Sequence, residues 1–321
     1  MIASMSKPAE SGGVHFVEIA EEGAGQRIDN FLLTRLKGAP RSLVYRILRK
    51  GEVRVNRGRI GPDYRLQAGD NVRIPPVRLT ERTAAVPPGE AVLRRIEAAI
   101  IYEDSRFLVL NKPGGVAVHG GSGLNYGVIE ALRASRPEAP FLELGHRLDR
   151  ETSGCLVIAK RRSALRQFHA LLREGRVVKR YLALLAGHWT GLLRMELALR
   201  KNVLRSGERL VRVAEDGKSA KTEFRVARRF QEATLAEVLL FTGRTHQVRV
   251  HAAAAGHPIA GDEKYGDEAF NRRMRALGLR RLFLHAHSLR FEIPENGSRI
   301  EVSAPLDPAL EAVLATLDDY E

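Results

Sequence analysis

The 321-residue sequence has a single cysteine, Cys155, one tryptophan and only 6% aromatic residues. One cysteine excludes an internal disulfide framework and any zinc or iron–sulfur site built mainly from thiolates. No apolar run approaches the roughly 18–20 residues of a membrane-spanning helix, and the first residues, MIASMSKPAESGG, lack the apolar segment of a signal peptide. We therefore expect a cytoplasmic protein without membrane contact.

Acidic residues are also fewer than basic residues. The chain has 52 Lys and Arg against 38 Asp and Glu, a formal net charge of +14. Clustered cations gain affinity for a phosphate backbone by releasing its condensed counterions, so this balance favours a nucleic acid partner over charge kept only for solubility. A hydrophobic fraction of 44% excludes a wholly disordered chain and is enough for one or two globular domains.

A compact basic unit is predicted near the N-terminus. Residues 1–20 are interpreted as a flexible tail, although VHFVEI within them alternates like a strand. Two stretches with helical spacing of apolar residues follow, and VRVN and VRIP predict strands. This order of two basic helices, GEVRVN and a final strand resembles an S4 domain, a small RNA-binding module, over residues 21–80. The resemblance implies that Arg41 and Arg46 of the second helix bind RNA.

A second domain is predicted over residues 98–321, after a linker at residues 81–97 that contains a Pro-Pro-Gly cluster. Segments that look like strands or strand-to-helix passages dominate this domain, among them FLVLNKP, CLVIAK, RYLALLAG and HQVRVHAAA. Helices are fewer and are predicted at residues 126–135 and 163–174. The pattern therefore indicates a mixed α and β domain.

The densest group of reactive side chains is GHRLDRETSG at residues 145–154. Its His, Asp and Ser do not indicate a serine hydrolase, because triad members converge from separate elements and no GxSxG turn is present. Asp149 and Glu151 are unsuited to glycoside hydrolysis, since alternate residues of an extended loop point to opposite sides. A further interpretation is that neighbouring arginines hold Asp149 only to order the loop.

The string HRLDRETSG resembles the defining motif of the pseudouridine synthases that modify ribosomal and transfer RNA. Further stretches match that family in order: NKPGGVAVHGG, KRYLAL, TGRTHQVRVHAAAAGHPIAGDEKYG and RLFLHAHSLRF. With the S4-like unit in front, the chain is similar to members that act on large-subunit ribosomal RNA. The resemblance implies an α+β catalytic domain with a largely antiparallel mixed sheet, which isomerises uridine to pseudouridine without a metal or other cofactor.

The same resemblance assigns roles to single residues. It makes Asp149 the catalytic carboxylate and Tyr181 a ring that stacks on the uracil and helps to remove its C5 proton. It also implies that Arg249 pairs with Asp149 and keeps it ionised. Contacts with the substrate are expected from Arg147, Arg244, His246 and Leu284. Arg147 would fill the space left by a flipped-out nucleotide, and Leu284 would pack on the second face of the uracil.

Several alternatives stay open from the sequence. The substrate could be transfer RNA, or the chain could be a non-catalytic RNA-binding protein of ribosome assembly, although Asp149 and Tyr181 are both present. The carboxylate could attack C1′ or stabilise the positive charge that develops there, or it could remove a sugar proton to form a glycal. We expect a monomer whose partner is large-subunit ribosomal RNA, either free or in an assembly intermediate.

Overall fold

The computed structural model describes residues 13–36, 38–39, 41–77, 88–120, 126–203, 209–294 and 297–320. The chain divides into two compact units, Met1–Ala85 and Val86–Glu321. Within the described ranges, no helix is both long enough and apolar enough to cross a membrane.

The N-terminal unit packs two helices against a three-stranded antiparallel sheet. Its elements are β1 (His15–Glu18), α1 (Ile28–Arg35), α2 (Arg41–Arg49), β2 (Arg54–Val55) and β3 (Asn71–Ile74). The strand order is β1-β3-β2. The apolar positions at helical spacing form the core, where Leu32, Val44 and Val72 are buried together. Residues 15–18, predicted as part of the tail, instead form the edge strand β1, because their backbone pairs with β3.

A strained turn follows β2. Asn56 and Arg57 have φ values of 49° and 68°, and the Gly58 N–H donates to the Val55 carbonyl at 2.8 Å. Two successive left-handed residues form a turn that prefers Asn followed by Gly. Asn56 meets this preference, and its side-chain amide donates to Asp70 at 2.8 Å. Arg57 does not, because its Cβ is crowded in the left-handed conformation.

Replacing Arg57 with glycine should stabilise the N-terminal unit by about 1 kcal/mol, because glycine adopts positive φ without steric cost. Native-state hydrogen exchange at the Val72 amide measures this gain within the unit's core strand. Arg57→Lys is the matched control, since it keeps both the charge and the Cβ and should leave protection unchanged. Equal protection in the glycine variant and the parent would contradict the assignment of strain.

The C-terminal unit is a large mixed sheet with helices on its faces. The helices are α3 (Glu90–Ala98), α4 (Val128–Ser135), α5 (Arg162–Arg173), α6 (Gln247–Ala254), α7 (Glu268–Ala276) and α8 (Pro308–Ala315). The first strands are β4 (Ile100–Glu103), β5 (Phe107–Lys112), β6 (Glu143–Leu144), β7 (Ser153–Ala159), β8 (Val178–Ala186) and β9 (Leu192–Val203). The remaining strands are β10 (Arg209–Val213), β11 (Lys218–Arg229), β12 (Ala233–Leu240), β13 (Leu284–Glu292) and β14 (Arg299–Ser303).

The strand order is β10-β9-β11-β12-β8-β13-β7-β5-β4, with β14 paired to β13 and β6 paired to β7. Among the described strand pairs, only β13 and β7 run parallel. This topology confirms the predicted α+β fold with a largely antiparallel mixed sheet. Every residue of β7 is buried, as expected of a strand covered on both faces.

Alternate residues of the central strands fill two cores, one on each face of this sheet. On β5, Leu108 and Leu110 contribute to one core, and Phe107 and Val109 contribute to the other. The period of two that predicted the strand therefore also separates its side chains between two cores.

Two segments of this unit differ from the sequence-based expectation. The linker predicted over residues 81–97 includes most of helix α3, whose Ile96 is buried in the main core. Residues 81–87 of that prediction lie outside the described part of the chain. HQVRVHAAA is helix α6 rather than a strand, because burial of the six consecutive residues Gln247–Ala252 leaves no polar face to reveal the helical period.

Candidate active site

The loop of residues 145–152 enters β7 beside the beginning of β13. Gly154 permits this approach: its φ is 106°, and a Cβ at this position would lie 2.3 Å from the Ala286 carbonyl oxygen. Behind the loop, His146 Nε2 accepts a hydrogen bond from the Val157 N–H at 3.2 Å. Burial lowers the pKa of His146 to about 4, so the ring is neutral and holds the loop in place.

A buried lysine lies beneath the same loop. Lys112 Nζ donates to the carbonyls of Pro113 at 2.8 Å, Val116 at 2.8 Å and Arg150 at 3.0 Å. The three N–H groups of an ammonium therefore each have an acceptor. Burial lowers the pKa of Lys112 to about 7, and the neighbouring charge of Arg281 adds to this effect. Lys112 thus ties the turn at residues 113–116 to the Asp149 loop.

Lys112 should make stability depend on pH. Its pKa is about 7 in the folded protein against an ordinary 10.5, so the unfolded chain binds more protons between these values. The free energy of unfolding should therefore rise from about pH 7 to about pH 10.5, by an amount on the order of a few kcal/mol for this group. Lys112→Met should lose that rise. Denaturation followed by Trp189 fluorescence at about pH 7 and about pH 10 tests this, and parallel pH dependences would contradict it.

Seven of the nine predicted site residues line one pocket, here called the Asp149 pocket. They are Arg147, Asp149, Tyr181, Arg244, His246, Arg249 and Leu284. Asp149 is half-buried, and its carboxylate accepts no hydrogen bond from the described residues. A carboxylate without a protein partner is available to contact a bound molecule, which argues against the alternative that arginines hold it only to order the loop.

Tyr181 and Leu284 form an apolar wall of this pocket. Their strands are neighbours, and Leu284 lies opposite Ala183, two residues from Tyr181 and on the same face. Burial raises the pKa of Tyr181, and the nearby charge of Asp149 raises it further. The phenol therefore keeps its proton at neutral pH. An aromatic ring beside an aliphatic side chain provides a surface suited to a flat, uncharged base.

Two exposed arginines lie at the rim of the pocket. Arg244 Nε donates to the Ser219 carbonyl at 3.1 Å, which fixes part of its side chain. The side chain of Arg147 is exposed and makes no hydrogen bond or ion pair within the described part of the chain. This rim offers positive charge to an anionic substrate.

Arg249 does not pair with Asp149. Its Nε and Nη2 each donate to the Asp262 carboxylate at 2.7 Å, and Asp262 also accepts from the backbone N–H groups of Lys264 and Tyr265. Burial opposes both charges, but their hydrogen bonds prevail, lowering the pKa of Asp262 and raising that of Arg249. The expected pairing is wrong because Asp262 takes these donors, so Arg249 acts on Asp149 only through its charge.

His246 is the N-cap residue immediately before α6 and has a left-handed φ of 53°. Its Nδ1 lies 2.8 Å from the hydroxyl of Tyr265, which accepts from the Val211 N–H at 2.9 Å. Since that N–H can only donate, the hydroxyl can give its own proton to Nδ1. Burial lowers the pKa of His246, and we assign the proton of the neutral ring to Nε2. Nε2 has no partner among the described residues and is a donor available to the pocket.

The two remaining predicted residues belong to the N-terminal unit. Arg46 is exposed on α2, whereas the side chain of Arg41 lies outside the described part of the structure. Sequence reasoning assigned no role to Lys112, Asp262 or Tyr265. These three residues lie in the motifs NKPGG and GDEKYG, and this location was the only feature of the sequence that could have indicated a role for them. The described ranges hold no group of three or more His, Cys, Asp or Glu side chains placed to bind a metal ion.

Two family models match this sequence. Residues 106–254 match RNA pseudouridylate synthase, and residues 26–72 match the S4 domain. The first match contains Asp149, Tyr181 and Arg249, and the second contains helix α2.

Named relatives resemble nearly the whole chain. Ribosomal large subunit pseudouridine synthase C of Pasteurella multocida (strain Pm70) is 56% identical over 310 residues, covering 96% of this chain and 95% of the relative. The protein of the same name from Escherichia coli (strain K12) is 55% identical over 312 residues, covering 96% and 98%. The solved structure of Human RNA Pseudouridylate Synthase Domain Containing 1 is 30% identical, has a TM-score of 0.57 and covers 69% of this chain and 88% of that chain.

Proposed function

We propose, since this chain belongs to the RNA pseudouridylate synthase family, that it converts specific uridines of large-subunit ribosomal RNA to pseudouridine. The observation that carries the proposal is the Asp149 pocket, where a carboxylate without a protein partner lies beside an apolar wall and a cationic rim. The substrate follows from relatives that are more than half identical over nearly the full length. With this substrate the enzyme would act in the cytoplasm, and we propose that it does so as a monomer.

The reaction is an isomerisation. The bond between N1 of the uracil and C1′ of the ribose breaks, the uracil turns, and C5 bonds to C1′. C5 then loses its proton and N1 gains one, so no atom is gained or lost overall. We propose Asp149 as the catalytic carboxylate, because an ionised oxygen without a competing partner can attack C1′ or stabilise the positive charge that develops there.

We propose that the uracil packs between Tyr181 and Leu284. An aromatic face and an aliphatic side chain can hold the ring by stacking and dispersion while it detaches and turns. We expect Tyr181 to act through its ring, because its raised pKa keeps the phenolate, which is the basic form, scarce.

A uridine paired in a helix cannot reach a half-buried carboxylate, so the nucleotide must leave the base stack at a cost of a few kcal/mol. We propose that Arg147 fills the vacated space and that Arg244 contacts the RNA backbone, as the exposure of both at the rim allows. Arg41 and Arg46 of the S4 domain would add phosphate contacts that position the RNA.

The function is tested by following tritium release from ribosomal RNA labelled at C5 of uridine. The purified protein should release tritium from large-subunit ribosomal RNA and leave transfer RNA unchanged. Pseudouridine mapping in cells with and without the protein should show the loss of particular large-subunit positions. Loss confined to transfer RNA would favour the transfer-RNA alternative, and no loss at all would favour the non-catalytic one.

Replacing Tyr265 with phenylalanine should slow single-turnover isomerisation about tenfold, the cost of one well-placed hydrogen bond. Without the hydroxyl, Nδ1 of His246 loses its donor and the ring no longer holds its Nε2 proton toward the pocket. The measurement is the single-turnover rate at saturating RNA, together with the RNA dissociation constant, which should change little.

Tyr102→Phe is the matched control, because it also removes a tyrosine hydroxyl that donates to a neighbour in the C-terminal unit, in this case Asp104 at 2.8 Å. This variant should keep the parent rate even if it melts earlier. His246→Asn should be as slow as Tyr265→Phe while keeping a residue that tolerates positive φ. A parent-like rate in both site variants would remove the proposed role of His246.

A further inference from the structure

A larger groove adjoins the Asp149 pocket. It has a volume of about 790 Å³, against about 90 Å³ for the Asp149 pocket, and it shares His246 and Arg249 with that pocket. From there it continues over Arg275, Leu279 and Arg280, and we call it the Arg275 groove. Ligand clefts typically measure roughly 300–1,000 Å³, so the groove has room for parts of a substrate that the small pocket cannot hold.

The arginines of this region fall into two classes. Arg272 and Arg273 of α7 each pair with a glutamate, at 3.6 Å and 2.6 Å, and neither lines the groove. Arg275 and Arg280 do line it, are exposed, and have no carboxylate partner among the described residues. Arg280 Nη1 also donates to the Arg275 carbonyl at 3.0 Å, which keeps these two residues together.

The charge of the groove is positive. Among the described residues, and besides the neutralised pair of Arg249 and Asp262, its charged lining consists of Lys264, Arg275, Arg280 and Arg281 together with Glu151 and Glu263, and Arg281 pairs with Asp307 at 3.3 Å. Two neighbouring arginines without carboxylates repel each other, and this repulsion is relieved when an anion binds between them. Arginine also matches the geometry of phosphate oxygens, to which it can donate two hydrogen bonds at once.

We propose that the Arg275 groove binds the phosphodiester backbone of the RNA strand on one side of the flipped uridine, with Arg275 and Arg280 on successive phosphates. This inference rests on the proposed function, which supplies RNA as the substrate. The continuity through His246 and Arg249 leads the strand directly out of the catalytic pocket. Leu210, which is half-buried, provides apolar surface for a sugar or base between the phosphates.

The test compares two double variants that remove the same charge. Arg275→Gln with Arg280→Gln alters the groove, and Arg272→Gln with Arg273→Gln alters the paired arginines of the same helix. Binding of an in vitro transcript of large-subunit ribosomal RNA is measured by filter retention over a range of salt concentrations. The groove variant should bind about tenfold more weakly, and its slope of log K against log salt should shrink by about 1.4, about 0.7 for each lost single-strand contact.

The control variant should stay within about twofold of the parent in affinity. If both variants lose RNA affinity equally, only net charge matters and the proposal that the groove binds RNA is wrong. Parent-like RNA binding by the groove variant would also contradict the proposal. Competition by uridine monophosphate as strong as that by RNA would also overturn it in favour of a mononucleotide site. Because binding is measured without turnover, a parent that binds RNA but releases no tritium would overturn only the proposed function.

Discussion

Replacing Asp149 with asparagine should slow tritium release from C5-labelled ribosomal RNA by roughly a thousandfold or more, because an amide can neither attack C1′ nor balance a positive charge there. RNA binding and the free energy of unfolding should stay close to those of the parent. The carboxylate accepts no hydrogen bond from the described residues, so the substitution leaves no donor unpaired. Single-turnover assays with enzyme in excess measure the chemical step directly.

Glu143→Gln is the control for this experiment. It makes the same carboxylate-to-amide change shortly before the loop, at an exposed ion pair with Arg133 that should contribute little. Its tritium release should match that of the parent. If Asp149→Asn also releases tritium at the parent rate, another group breaks the glycosidic bond and the assignment of Asp149 is wrong.

Replacing Arg249 with alanine should lower the free energy of unfolding by about 3–5 kcal/mol, because Asp262 would remain as a buried charge without its partner. The exposed fractions are 8% for Arg249 and 2% for Asp262, so water cannot take over the lost contacts. Denaturant unfolding followed by the fluorescence of Trp189 measures the change within the C-terminal unit.

A double variant separates the contribution of Arg249 to stability from the effect of its charge on Asp149. Arg249→Met with Asp262→Asn removes both charges and keeps an oxygen for the backbone N–H groups of Lys264 and Tyr265. This variant should recover much of the lost stability but still isomerise uridine slowly, because no cation then acts on Asp149. A double variant as unstable as Arg249→Ala would show that the loss does not come from an unpaired Asp262.

Local sequence patterns predicted those parts of the fold that are decided locally. Leu32 and Val44 each belong to a set of apolar residues at helical spacing, in α1 and α2 respectively. The alternation along β5 reflects the two cores to which its side chains contribute. Helix α6 escaped this reasoning because its burial removes the contrast between faces, and its alternating valines imitate a strand. Helix α3 escaped because proline and glycine just before it marked the whole segment as a linker.

The candidate site was predictable as a set of residues but not as a set of contacts. The motifs brought Asp149, Tyr181 and Arg249 together correctly. Which carboxylate would pair with Arg249 depends on how the segment of Asp262 folds back beneath α6, and spacing along the chain does not contain that information. Burial of Lys112 beneath the Asp149 loop likewise exists only once β5 and that loop are packed together.

The position of β13 in the sheet affects how the protein can fold during its synthesis. This strand comes late in the chain, yet it lies in the middle of the sheet, between β8 with Tyr181 and β7 with its preceding Asp149 loop. During synthesis, β7 and β8 can therefore pair with their common neighbour β13 only after residues 284–292 have left the ribosome. Such long-range pairing forms slowly, and the waiting strands expose unpaired edges. We therefore expect a nascent chain to be inactive and prone to aggregation until β13 has emerged, because termination before β13 would leave the pocket without one of its walls.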